Sequence, residues 1–381
     1  MYKESDKIVF SPSDLTTFMS SPFASWMNRW KLECPEDVPA IDEADELDKT
    51  LAEKGLTHEA ALLDEFRAQG LKVVDIAAGA QNANSHYAHR YRATREAMRD
   101  GVDVIYQALL EKEPFRGHAD FLIKAPGASD LGDYHYEVWD TKLASSVKPY
   151  FVVQLCCYAE MLEHMQGRRP AHIVVALGNK KRERLETDDY FYYYLALRAQ
   201  FLQAQDAFDV HAMPDPADSK SFGRWSDYAG RMLQESDHLS LIANITRSQI
   251  KRLNRAGIRT CQQLITRNAE HISGITAELL AKLTAQASIQ QASQGKDRPL
   301  FDVLPPASEP KQIGLALLPP HNPLDVFFDI EGFPLDEGGL EYLWGCTYFD
   351  GSGIRQFKDF WAHDREQEKQ AFGSFIAWVY A

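Results

Sequence analysis

The stretch Tyr136–Ser146, YEVWDTKLASS, decides how the first half of the chain is read. Val138 and Trp139 are strand residues, yet the run closes on Asp140, Thr141 and Lys142. Alternate side chains of a strand leave the same face, so Asp140 and Lys142 share one face and Glu137 points to the other. A surface strand can end this way by chance. A strand that brings a carboxylate and an ammonium to one point can also do chemistry, and the neighbouring runs bear on which it is.

Upstream, VDVIYQALL and FRGHADFLIKA are strand-like runs separated by turn residues. Asp120 lies in the second of them, a fair distance before Asp140 for two strands joined by a loop. Downstream, PYFVVQLCCYAEMLEHMQG predicts a helix on which Gln154 and Tyr158 share one face. RPAHIVVALG predicts another strand. The tyrosine-rich run DDYFYYYLALRAQFLQAQ leads into a further helical stretch.

Nearer the N-terminus, SPSDLTTFMSSPFASWMNRW reads as one capped amphipathic helix, with Ser13 or Asp14 near its N-cap. Residues 34–50 are acidic, contain Pro35 and Pro39, and predict an irregular loop. A helix is expected over LAEKGLTHEAALLDEFRAQG, with Leu62 and Phe66 at helical spacing and Gly70 as its stop. His58 sits one turn before Leu62, and Glu59, one position round, reads as a solvated charge. LKVVDI is a short strand and YAHRYRATREAMRDG a charged helix. Helices and strands in this order predict an α/β domain over residues 1–205.

A chain of 381 residues with 45% hydrophobic content is long enough for two or three domains and is not disordered. The net charge of −14 argues against a surface coated in cations, though not against a local basic track. No apolar run reaches the ~20 residues that span a bilayer, so no membrane association is expected. MYKESDKIVFSPSDL lacks the charged head and apolar region of a signal peptide, and the five cysteines have no paired spacing. The cytoplasm is the expected location.

His58, Asp120, Asp140 and Lys142 together suit a divalent cation. Carboxylate oxygens and an imidazole bind Mg²⁺ or Mn²⁺. Such an ion polarises a phosphate and acidifies a bound water, while a neighbouring Lys orients water and stabilises charge. The ordered set GLTH (His58), GHAD (Asp120), DTK (Asp140, Lys142) and QLCCY (Gln154, Tyr158) resembles the RecB-like branch of the PD-(D/E)XK nucleases over roughly residues 1–200. The resemblance implies a restriction-endonuclease-like core, with metal bound by His58, Asp120, Asp140 and the carbonyl of Thr141. It makes Lys142 the catalytic lysine beside Asp120 and Asp140, and gives Gln154 and Tyr158 to substrate. Some relatives hold an iron–sulfur cluster on four thiolates. Here SSPF stands where an early Cys is expected and only Cys34 is near, so no cluster is expected.

Residues 206–295 form a second region, of which 241–290 read as wholly helical. AGI at 256–258 and SGI at 273–275 resemble a helix–hairpin–helix pair, whose backbone N–H groups bind phosphate. Gly257 and Gly274 mark the hairpins, and Lys251, Arg252, Arg255 and Arg259 add cations beside the first. The same residues also suit a small helical bundle with a solvated basic face. Residues 296–323 are Pro-rich linker. In 324–381, DVFFDIEGFP places Asp329 and Glu331 on one side of an expected buried strand. That pattern resembles RNase H-like exonucleases of the DEDD type, with GGLEYLWGCTYF as the next strand. A two-metal site needs further carboxylates from later segments, and none before Ala381 is read as supplying them, so this second site is expected to be incomplete.

The module order resembles a RecB-like nuclease family, some members of which continue into a superfamily 1 helicase. It implies a metal-dependent DNA nuclease, in DNA repair or recombination, acting on single- or double-stranded DNA. A nucleic-acid-binding scaffold with an inactive nuclease fold and an RNA-processing nuclease are the alternatives.

Overall fold

The computed structural model describes residues 1–78, 86–267, 271–303, 317–333 and 338–381. Part of the expected linker, residues 304–316, lies outside the described residues. Two compact units divide the chain, Met1–Leu300 and Phe301–Ala381. Both are mixtures of helix and strand.

In the first unit, a hairpin of β1 (Tyr2–Glu4) and β2 (Lys7–Val9) leads into α1 (Pro12–Ser20) and α2 (Pro22–Glu33). These are two helices rather than the single one expected. Ser21 between them is extended, with φ −154°, because the residue before a proline is driven out of the helical region. The cap of α1 is Ser11, whose backbone N–H donates to the Asp14 carboxylate at 2.8 Å. Helix α3 (Glu46–Ala68) starts inside the acidic segment expected to be irregular, capped by Asp45.

The core is a six-stranded mixed sheet. Its strands are β3 (Val73–Asp75), β4 (Val104–Lys112), β5 (Phe115–Ser129), β6 (Gly132–Lys142), β7 (His172–Leu177) and β8 (Arg182–Glu186), side by side in that order. Strands β4, β5 and β6 run antiparallel. Two pairs are parallel: β3 with β4, joined through α4 (His86–Arg99), and β6 with β7, joined through α5 (Pro149–Gln166). Strand β8 returns antiparallel on β7 and leads into α6 (Thr187–Asp206). The short β8 was not foreseen; its run RERLE has a single apolar residue.

Helix α5 is apolar nearly all round, and such a helix is stable only when buried. Val153, Leu155, Cys156, Cys157 and Leu162 are all buried among α1, α6 and one face of the sheet. The other face is covered by α3 through Leu62, Leu63 and Phe66, which pack on Phe121 and Ala176. Each such side chain contributes ~1.5–3 kcal/mol on burial. The sheet is therefore held from both sides close to the carboxyl ends of β6 and β7.

Residues 206–295 hold α7 (Ser226–Glu235), α8 (Arg247–Arg255), α9 (Cys261–Thr266) and α10 (Ala277–Ser293). The wholly helical reading of 241–290 gives way to helices separated by turns. Gly257 and Gly274 both take left-handed backbone, with φ +77° and +79°. Ile258 and Ile275 follow them into a core with Leu253, Leu264, Leu280 and Leu283.

The second unit has β9 (Val326–Phe333), β10 (Leu340–Phe349), β11 (Arg355–Trp361) and α11 (Arg365–Val379), with strand order β11-β10-β9. The expectation that β9 is buried is corrected. It is an edge strand, and Val326 to Gly332 are all exposed. Asp329 and Glu331 lie on it in solvent, with Asp329 accepting from the Ile330 N–H at 2.9 Å. Among the described residues no helix is long and apolar enough to cross a membrane.

Candidate active site where two strands part

The ladder between β5 and β6 pairs Phe121 with Trp139 and stops there. Two residues past Trp139, the backbone N–H of Thr141 donates to the Asp120 carboxylate at 2.8 Å, and the Thr141 hydroxyl does the same at 2.8 Å. A side chain thus takes the place of the ladder, and the strands part at Asp120 and Asp140. On the other side of β5 the pairing with β4 skips Gln107. Gln107 has φ +54°, a conformation costing of order 1–3 kcal/mol outside glycine and concentrated at functional sites.

Asp140 is 2% exposed. Its Oδ2 lies 2.5 Å from Lys142 Nζ, as the strand period requires, but without hydrogen-bond geometry. Its Oδ1 accepts a long hydrogen bond of 3.4 Å from Gln154 on α5. Burial, followed by the charge of Asp120, pushes the Asp140 carboxyl up to about 7, and Lys142 offsets only part of this. Tyr158, on the same helix face as Gln154, is buried and donates its hydroxyl to the His118 carbonyl at 2.6 Å. The structure therefore has it holding β5; its hydroxyl is already engaged.

Glu59 was read as a solvated charge, and the structure corrects this. It is 8% exposed and bonded to the Gln107 amide at 2.5 Å, with the Tyr106 hydroxyl as a second donor. Burial and then the charge of Asp120 raise its proton affinity. The signal was present: Glu59, Leu62, Leu63 and Phe66 form the buried stripe of α3 at helical spacing. His58 lies beside that stripe. Its Nε2 is 3.2 Å from the carbonyl of Ala176, the register partner of Thr141 on β7. His58 is thus one strand over from Thr141 and turned to the backbone.

The segment after Lys142 is clamped by the end of β7. Gly178 donates its N–H to the Ala144 carbonyl at 3.2 Å, and the Asn179 amide donates to the Ser145 carbonyl at 3.0 Å. A Cβ on Gly178 would stand 2.4 Å from the Leu143 carbonyl oxygen, which is backbone and cannot swing aside. Gly178→Ala is therefore expected to lower stability by about 1–3 kcal/mol and displace residues 143–146. Urea unfolding checks this; an unchanged midpoint would contradict the clamp.

Among the described residues no three His, Cys, Asp or Glu side chains converge as a metal-holding group. Asp120, Asp140 and the Thr141 carbonyl nevertheless fit a hard cation in kind. All are oxygen donors, the kind of ligand such a cation takes. The five cysteines are free, and Cys156 and Cys157 are buried on α5.

In the helical region Lys251, Arg255 and Arg259 are exposed, while Arg252 donates to the Gly274 carbonyl and ties the two glycine turns together. No family model and no curated protein matches the chain.

Proposed function

We propose that this protein is a metal-dependent nuclease that hydrolyses phosphodiester bonds of DNA, with a PD-(D/E)XK core in residues 1–205. The observation that carries the reading is the buried Asp140 carboxylate at the fork of β5 and β6, with a proton affinity raised to about 7 and Lys142 against it. Keeping a charge out of water costs several kcal/mol, a cost that a strand end alone has no need to bear.

Bound Mg²⁺ or Mn²⁺ would supply charge stabilisation at the phosphate and acidify water. Asp120, Asp140 and the Thr141 carbonyl would hold it. Lys142 orients water and stabilises charge on the phosphate oxygens. Gln154 fixes the Asp140 carboxylate, and Glu59 stands behind Asp120 with Gln107 and Tyr106. His58 enters the set only by leaving the Ala176 carbonyl.

The left-handed Gly257 and Gly274, with Lys251, Arg255 and Arg259 beside them, support a helix–hairpin–helix reading of residues 206–295. Such turns grip phosphates and confer little sequence preference. Residues 324–381 with Asp329 and Glu331 would be part of an RNase H-like domain. DNA repair or recombination, with a superfamily 1 helicase as partner, follows from the same resemblance.

Digestion of matched DNA and RNA oligonucleotides by wild type and Asp120→Asn tests the reading. DNA cut only with metal, and not by the variant, supports it. Preferential cutting of RNA transfers the site to RNA processing, since only contacts to the 2′-hydroxyl separate the two. Binding without cutting in any metal leaves an inactive scaffold.

A further inference from the structure

The tyrosine-rich start of α6 has no part in the site described above. We propose that, with the first turns of α5, it forms a base-stacking cleft for single-stranded DNA leading to or from Lys142; this rests on the nuclease reading. The cleft is about 330 Å³ and is lined by Lys148, Val152, Cys156, Leu185, Tyr190 and Tyr193.

Tyr190 and Tyr193 are three residues apart and so share one face of α6. They are 37% and 56% exposed, which leaves apolar ring faces in water. Tyr194 behind them also lines the cleft, is fully buried, and donates its hydroxyl to Glu160 at 2.5 Å. Glu160 also accepts from Lys112 at 2.8 Å and from Arg198. Burial pushes Glu160 up, but these donors together hold it below the ordinary carboxylate range. The floor is therefore fixed while the outer rings face solvent.

Through the buried ring of Phe151, this cleft lies next to the candidate site. Lys142 Nζ lies 5.5 Å from the centroid of Phe151, and Phe151 meets Tyr150 edge-on at 4.5 Å. Tyr150 is 48% exposed and follows Lys148 and Pro149, which line the cleft. Exposed aromatic faces, a lysine, and continuity with a phosphodiester site match the chemistry of an unpaired strand, whose bases stack and whose phosphates take a cation. The bases of a duplex are already stacked on one another and bypass such a cleft.

The test is fluorescence anisotropy of the full chain in EDTA, with labelled oligo-dT, the same backbone made abasic, and a matched hairpin duplex. Tyr190→Ala and Tyr193→Ala should each weaken oligo-dT about tenfold or more. The abasic strand and the duplex should be unaffected, and Tyr190→Phe and Tyr193→Phe should bind as wild type. Oligo-dT binding unchanged by the alanines overturns the proposal. If the apolar dye ANS then loses its site in the alanine variants, the cleft is a protein-docking surface instead. A fall of oligo-dT and duplex together also overturns it. Binding in EDTA does not depend on cutting, so failure of the nuclease reading is seen separately in the digestion assay.

Discussion

Asp140→Asn should give a protein that is more stable than wild type above pH 7 and does not cut DNA. The buried carboxyl has a proton affinity near 7 against an ordinary 3.8. Between these values the folded state binds more protons than the unfolded state. Stability attributable to Asp140 therefore falls as pH rises from about 4 to about 7, and is level beyond. The gap corresponds to about 4 kcal/mol as an upper figure. An asparagine is neutral throughout and lacks this slope, while the other titrating groups cancel in the comparison. Urea unfolding at pH 5 and pH 8 reads it directly. Mg²⁺ or Mn²⁺ should stabilise wild type at pH 8 and not the variant, since the ion favours the ionised carboxylate. Identical pH slopes for the two proteins would refute the assignment.

Lys142→Ala should act in the opposite direction. The Lys142 side chain is 23% exposed and its ammonium is the close counter-charge to Asp140. Removing it leaves the buried carboxylate alone, and the acid then takes up a proton, which from a value of about 7 costs about 1.4 kcal/mol at pH 8 and bounds the electrostatic loss there. The loss should appear at pH 8, shrink at pH 5 where Asp140 is protonated, and be partly restored by metal. Cleavage should fall by about 10²–10³, the usual effect of deleting one charge-stabilising group from a reacting centre. A variant equally unstable at both pH values would place Lys142 in packing rather than in electrostatics.

Much of this arrangement was legible before folding. The period of two in YEVWDTK put Asp140 and Lys142 on one face, and their contact follows from it. The apolar circumference of α5 announced a buried helix, and Gln154 reached Asp140 from it. Glu59 was legible too, because it completes the stripe with Leu62, Leu63 and Phe66; counting from His58 hid it. The break at Ser21 could have been read from Pro22. Gln107 is different. Nothing in VDVIYQALL marks that residue for φ +54°, because the kink exists only once β4 lies beside β5 at the level of Asp120. β9 misled for a related reason. VFFDI is apolar enough for a central strand, but burial depends on what packs against it, and here it lies at the sheet edge.

The most direct measurement is cleavage of end-labelled single- and double-stranded DNA in Mg²⁺, Mn²⁺ or EDTA, by wild type and Lys142→Ala. Metal-dependent cutting by wild type, lost in EDTA and in the variant, is the predicted result. Undiminished cutting by Lys142→Ala, or none by wild type in any metal, would contradict the placement of chemistry at Asp140–Lys142.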